Sequence, residues 1–116
     1  MFSRYIKLVR AIDGWCTCYT CDKPIKVGGN DCDGGHFIPR TYSPTKYDED
    51  NVRPQCSACN QYHEGKPVEF ERRLKLEIGD DAVENLKLRS TQLWKWNRPD
   101  MVEQVKHYKA LVSEYS

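Results

Sequence analysis

Two cysteine pairs constrain this chain more than any other feature. Cys18-Tyr19-Thr20-Cys21 and Cys56-Ser57-Ala58-Cys59 stand on either side of a long insert. A CxxC turn presents two sulfurs on one side of a tight loop, and tetrahedral zinc takes four thiolates. Two such turns closing on one ion predict a structural zinc. Six cysteines in 116 residues also raise a secreted disulfide scaffold or a redox dithiol. The first is disfavoured because the N-terminal run mixes charged with apolar residues and carries no secretory h-region. The second needs one CxxC opening a helix in a βαβ unit, a pattern this chain lacks. Cys16 offers a rival ligand in the first turn; Cys18 is preferred because its spacing to Cys21 fits a knuckle. Cys16 and Cys32 are then expected as small buried apolar residues.

The rest of the chain reads as short strands inside and helices outside. Residues 3–14 form an amphipathic helix, with Ser3 as cap and Gly14 as stop. Lys23 to Asn30 reads as a hairpin or turn. Cys32 to Pro39 is a strand interrupted by Gly34 and Gly35, residues 41–50 are a loop, and Asn51 to Cys56 is a second strand held at an edge by Pro54. Residues 57–65 open a helix on the second knuckle. Helices follow from Pro67 to Ile78 and from Asp80 or Asp81 to Leu88. A last helix is capped by Asn97, with Met101, Val105, Tyr108, Val112 and Tyr115 at helical spacing. The expectation is one α+β domain over 1–116: an N-terminal helix (1–14), a zinc-bound ββα core (16–66) and C-terminal helices (67–116).

Composition excludes several classes. No apolar run approaches the ~20 residues that span a bilayer, so no membrane partner is expected and the cytoplasm is the expected compartment. With 30% charged and 39% apolar residues the chain is not disordered. A net charge of +1 argues against a broad non-specific DNA surface, while leaving room for a local basic groove.

The chemistry sits between the cysteine pairs. A ββα unit sets the end of its first strand, where His36 lies, against the start of the helix that opens at Asn60. Phosphodiester hydrolysis needs a base for water and a divalent cation with fixed ligands. Imidazole suits the first task near neutral pH, and oxygen ligands suit Mg²⁺ or Mn²⁺.

The strings Cys18-x-x-Cys21, Asp33-Gly34-Gly35-His36-Phe37-Ile38-Pro39-Arg40 and Gln55-Cys56-Ser57-Ala58-Cys59-Asn60, with Asn51 between the last two, resemble the zinc-bearing HNH nucleases. They are most similar to the phage NinG (Rap) recombination family, as is the opening Phe2-Ser3-Arg4-Tyr5-Ile6. The resemblance implies a zinc-knuckled, treble-clef-like ββα-metal fold and a structure-specific nuclease on Holliday junctions and D-loops. It implies that His36 is the general base, that Asn51 ties loop to strand, and that Asn60 replaces the final histidine of the motif as ligand to a catalytic Mg²⁺ or Mn²⁺. Zinc would be structural, on Cys18, Cys21, Cys56 and Cys59.

One position departs from the pattern. Many HNH enzymes carry a metal ligand directly before the base, and here that residue is Gly35. Asp33 is the nearest substitute, and a glycine bulge is needed to turn it to the His36 face. His63, one turn beyond Asn60, and the cations Arg40, Lys46, Arg53 and Lys66 are candidate phosphate contacts, Arg53 foremost. Trp94 and Trp96 are expected in packing rather than on bases. A homodimer would match the symmetry of a four-way junction, and phage recombination proteins are further expected partners. The competing expectation is a non-catalytic zinc-knuckle module that binds nucleic acid or a recombination partner; His36 and Asn60 in register with both knuckles are what such a module does not require.

Overall fold

A computed structural model describes residues 1–115. The order is α1 (Phe2–Arg10), β1 (Trp15–Thr17), β2 (Pro24–Lys26), β3 (Asp33–His36), a 3-10 turn (Ser43–Thr45), β4 (Val52–Gln55), a wide helical turn (Ala58–Tyr62), α2 (Pro67–Ile78), α3 (Asp80–Ser90) and α4 (Arg98–Ser113). The architecture is mixed α+β. Two antiparallel hairpins, β1–β2 and β3–β4, form separate two-stranded sheets.

Two-stranded ribbons are marginal alone and need cover on their faces. Here the helices supply it. Facing residues of an antiparallel pair share a side, so the register Asp33↔Gln55, Gly34↔Pro54, Gly35↔Arg53, His36↔Val52 sorts the β3–β4 hairpin into two faces. Gly34, His36, Val52 and Pro54 look toward α1: a Cβ on Gly34 would meet Ser3 Oγ and Val52. Val52 joins Phe2, Ile6 and Tyr108 in one core cluster, which ties β4 to α1 and α4. Asp33, Gly35, Arg53 and Gln55 look the other way. On that side Gln55 Nε2 donates to Thr20 and to the Gly65 carbonyl, both at 3.0 Å. With both faces covered, every residue of β4 is buried.

The apolar core is divided. Phe70, Leu74 and Val83 join α2 to α3, with Tyr19 and Phe37 packed on them. Cys16, Cys18, Ile25, Cys32, Cys56 and Cys59 form a third cluster between the hairpins. A chain this short buries too little surface for one large core; of its three small clusters, the cysteine-rich one is the one a metal ion can staple.

Several boundaries differ from expectation. Ser3 does not cap α1, which starts at Phe2 behind Met1 with no side-chain cap; its hydroxyl lies over Gly34 instead. The helix ends at Arg10, and Gly14 sits at φ +81 in the turn to β1. The 41–50 loop holds the short 3-10 turn. Residues 57–65 wind more widely than an α-helix: the His63 N–H reaches the Ala58 carbonyl and the Gly65 N–H the Cys59 carbonyl. α3 begins at Asp80 and runs on to Ser90. Gly79 ends α2 and starts α3 at φ +91, where a side chain would be strained. Asn97 caps α4 by accepting from the Asp100 N–H at 2.8 Å. The buried face of α4 is Gln104, Tyr108 and Val112, whereas Val105 and Tyr115 are exposed.

Candidate functional site

The four knuckle cysteines converge. The sulfurs of Cys18, Cys21, Cys56 and Cys59 all lie within 4.8 Å of one another. Cys21 Sγ and Cys56 Sγ are 3.7 Å apart, about the edge of a tetrahedron with Zn–S bonds near ~2.3 Å. The donor set therefore fits one metal ion such as zinc. Burial opposes ionisation of Cys18, but the backbones of Cys56 and Thr20 outweigh it, and the thiol sits at about 6. Cys21 is pushed up to about 12 by local desolvation and by crowding against the other three sulfurs. Four thiolates do not coexist at this spacing without a cation. Cys16 stands outside the cluster: β1 points it into the core, where its thiol donates to the Lys7 carbonyl at 3.2 Å.

His36 closes β3 on the α1 side. Its Nε2 lies 2.9 Å from the Lys46 carbonyl. A carbonyl only accepts, so Nε2 carries a proton, and in the neutral ring Nδ1 keeps its lone pair. Burial, helped by the positive charges of Arg40 and Lys46, holds the imidazole below its usual 6.5, against the carbonyls of Lys46 and Gly34, which favour the protonated ring. It lines a cleft of about 260 Å³ together with Ser3, Gly34, Arg40, Lys46 and Gln104.

The carbonyl that His36 meets belongs to a loop held by Asn51. That side chain is fully buried. Its Oδ1 accepts from the Ile38 N–H at 2.7 Å, and its Nδ2 donates to the carbonyls of Ile38 and Thr45, each at 3.0 Å. Asn51 thus clasps both ends of the 38–45 segment just before Lys46.

Asp33 and Asn60 meet each other but not His36. Asn60 Nδ2 donates to Asp33 Oδ2 at 3.2 Å, and Gln61 Nε2 donates to the same oxygen at 3.1 Å. The bulge that would have turned Asp33 toward His36 is absent, because β3 pairs with β4 without interruption. Both glycines serve close packing instead: the space a Gly35 side chain would fill is taken by the Gln55 amide, and that of Gly34 by Ser3. Asp33 therefore stays on the opposite face, about 10 Å along the strand from His36.

Of the remaining candidates, Arg40 is exposed at the cleft. Lys46 lines the cleft beside it, with its ammonium 5.3 Å from the Tyr47 ring centroid. Arg53 is not available to a phosphate. It is 4% exposed, pairs with Glu77 at 3.1 Å and donates to the Glu49 and Val52 carbonyls. It lies on the face of β4 opposite Val52, where Glu77 of α2 meets it. His63 follows the wide turn rather than continuing a helical face, and is exposed. Lys66 sits at φ +48 as the residue before α2. Trp96 packs: its Nε1–H donates to the Ser43 carbonyl at 2.9 Å, and its ring meets Tyr47 edge-on. Trp94 stacks edge-on to Trp96 and stays partly exposed.

The family model described as Bacteriophage Lambda NinG protein matches residues 2–116. The chain belongs to the NinG family. Curated NinG proteins of Enterobacteria phage H19B, Escherichia phage 933W and Enterobacteria phage VT2-Sa are each 34% identical over 55 residues, which is 47% of this chain and 27% of the relative. The matched stretch thus spans about a quarter of the length of these NinG relatives. No solved structure matches the chain. Among the described residues of this NinG-family chain, no helix is long and apolar enough to cross a membrane.

Sequence reasoning named Lys46 for its side chain but missed its backbone carbonyl, which no side-chain motif reports, and it missed Gln104 altogether. Gln104 comes from α4, far along the chain; its one signal was a polar residue i−4 to Tyr108 on the face that packs.

Proposed function

We propose that this NinG-family chain is a metal-dependent endonuclease of the HNH type, acting on branched DNA such as Holliday junctions and D-loops. The observation that carries the reading is the setting of His36. It is half-buried, hydrogen-bonded through Nε2 to the Lys46 carbonyl, and lines one cleft with the cations Arg40 and Lys46. A neutral histidine in that setting accepts a proton at Nδ1 from a water positioned against a phosphodiester. The water oxygen then attacks phosphorus and the 3′-oxygen leaves, giving 5′-phosphate and 3′-hydroxyl ends. Arg40 and Lys46 offset the phosphate charge, and Asn51 holds the loop that orients the ring.

Zinc on four cysteines has no open position and is structural in this reading. Asn60 Nδ2 lies on Asp33 Oδ2, and a half-turn of that amide would set its Oδ1 beside the carboxylate as an oxygen pair of the kind that suits Mg²⁺ or Mn²⁺; when bound, such an ion would supply charge neutralisation to the DNA backbone. β3 lies at a sheet edge, with His36 and Asp33 on its two faces. A C2 dimer, presenting two sites to a four-way junction, completes the proposal. Sedimentation of a monomer at high concentration together with full junction resolution would count against that dimer.

A second reading draws on the separation of Asp33 from His36. A zinc-knuckle module that binds branched DNA or a phage recombination partner without cutting needs no shared phosphate. The test is cleavage of a labelled four-way junction and its linear duplex with Mg²⁺ or Mn²⁺, comparing wild type with zinc-loaded His36→Ala. Loss of junction cutting by about 10²–10⁴-fold in the variant supports the nuclease. Tight binding with no cutting by either protein supports the module, and cutting that survives the substitution removes His36 as the base.

A further inference from the structure

The wall of the His36 cleft opposite the hairpin is α4, and it contributes one polar side chain whose role packing does not explain. Gln104 is 8% exposed, and its Nε2 is buried with no hydrogen-bond partner. Its neighbours on the same helix face behave as core residues should: Val112 is apolar, and the Tyr108 hydroxyl donates to Glu49 at 2.9 Å. Gln104 also borders a second groove, lined by Asp100 and Glu103, yet it donates to neither carboxylate. An unpaired buried amide is a net cost to folding, and an apolar residue of similar shape would avoid it. Such local losses concentrate where a site needs the group for something else.

The surroundings specify what the amide faces. Arg40, Lys46, the Ser3 hydroxyl and the His36 ring line the same cleft, and among the described residues no carboxylate does. Positive charge, a free amide and a volume of about 260 Å³ together suit a tetrahedral oxyanion. The terminal torsion of glutamine is soft, so a small rotation brings its NH₂ to an anion in the cleft.

We infer that Gln104 is a phosphate-binding residue of the His36 cleft, donating from α4 to a non-bridging oxygen of the phosphodiester whose other oxygens face Arg40 and Lys46. This deepens the nuclease reading and rests on it only for the reaction, not for the binding. It makes the C-terminal helix part of the site rather than a support beneath it.

The experiment uses the zinc-loaded full chain. Inorganic phosphate is titrated while the Gln104 side-chain amide and the His36 ring are followed by NMR. The same titration, and junction cleavage kinetics, are then run on Gln104→Leu and Gln104→Glu. The expected result is a saturable shift of the Gln104 amide in wild type. Phosphate affinity and kcat/KM should fall about 10-fold or more in Gln104→Leu, as for a hydrogen bond to a charged group, and further in Gln104→Glu, where a carboxylate of similar size repels the anion. Gln104→Leu should fold at least as stably as wild type, which separates the loss from misfolding. A Gln104 amide that does not move with phosphate, or variants whose phosphate affinity and KM match wild type, would overturn the inference while leaving the nuclease reading intact. A wild type that shifts with phosphate but cuts nothing would sustain the phosphate site and sink the nuclease.

Discussion

Replacing Asn51 by alanine should cost this fold more than any other single polar substitution near the site. The side chain is fully buried and makes three hydrogen bonds, to the Ile38 N–H, the Ile38 carbonyl and the Thr45 carbonyl. Each bond contributes about 1 kcal/mol net, and each buried group left unpaired costs about 1–3 kcal/mol. Water entering the vacated space relieves part of that, so the expected loss is about 4 kcal/mol. For a domain of this size such a loss lowers Tm by about 15 °C. It is a large fraction of the ~5–15 kcal/mol that holds a typical domain together. Asn51→Asp should do no better: it keeps the acceptor for Ile38 but sets a carboxylate against two carbonyl oxygens. The assay is urea unfolding of zinc-loaded protein with an unchanged m-value as the check on two-state behaviour. A second consequence concerns His36, because the Lys46 carbonyl that receives its Nε2–H belongs to the segment Asn51 clasps; its ring resonance should broaden or split in the variant. A loss under about 1 kcal/mol, with the His36 resonance unmoved, would refute the clasp.

Removing the metal should unfold the knuckles, since zinc binding by such cysteine sets contributes about 10–16 kcal/mol in small zinc fingers and exceeds the stability of a typical domain. Chelation should release one ion per chain with loss of circular dichroism. Cys18→Ser should abolish metal uptake, whereas Cys16→Ser, outside the cluster, should retain it; an apo form that melts like the holo form would contradict this. Glu77 predicts acid behaviour. Burial opposes its ionisation, but the Tyr19 hydroxyl, Arg10 and Arg53 outweigh that and hold it at about 2, below the ordinary 4.5. Because the folded value is the lower one, its contribution is present above pH 4.5 and lost as pH falls toward 2. Glu77→Gln should flatten that limb in pH-dependent unfolding and cost about 2 kcal/mol at neutral pH. That figure lies below the usual toll for orphaning a buried charge such as Arg53, because Glu77 itself is more than a third exposed.

Much of this fold was legible in the chain. Two CxxC pairs at this spacing specify a four-sulfur cluster almost regardless of context, because the constraint is local to each turn. Asn97 as a cap, Gly79 as a helix stop and Pro67 at a helix start are local for the same reason, and the structure carries all three. Asn51 was marked, through the family resemblance, as the residue that ties loop to strand, and its bonds to Ile38 and Thr45 do so. What the sequence by itself determined, then, was decided by short-range geometry: turns, caps, knuckles and the order of strands between them.

The tertiary structure decided the rest. Whether Asp33 reaches the His36 face depended on a bulge, and the bulge was ruled out by side chains from elsewhere, Ser3 and Gln55, filling the two glycine positions. Arg53 reads as a phosphate clamp in isolation, but Glu77, delivered by α2, captures it. Gln104 reads as one polar residue in an amphipathic helix until α4 lays it against the His36 cleft. In each case the deciding partner is distant along the chain. Only packing brings it near, because the free energy that selects one partner over another comes from burying both together.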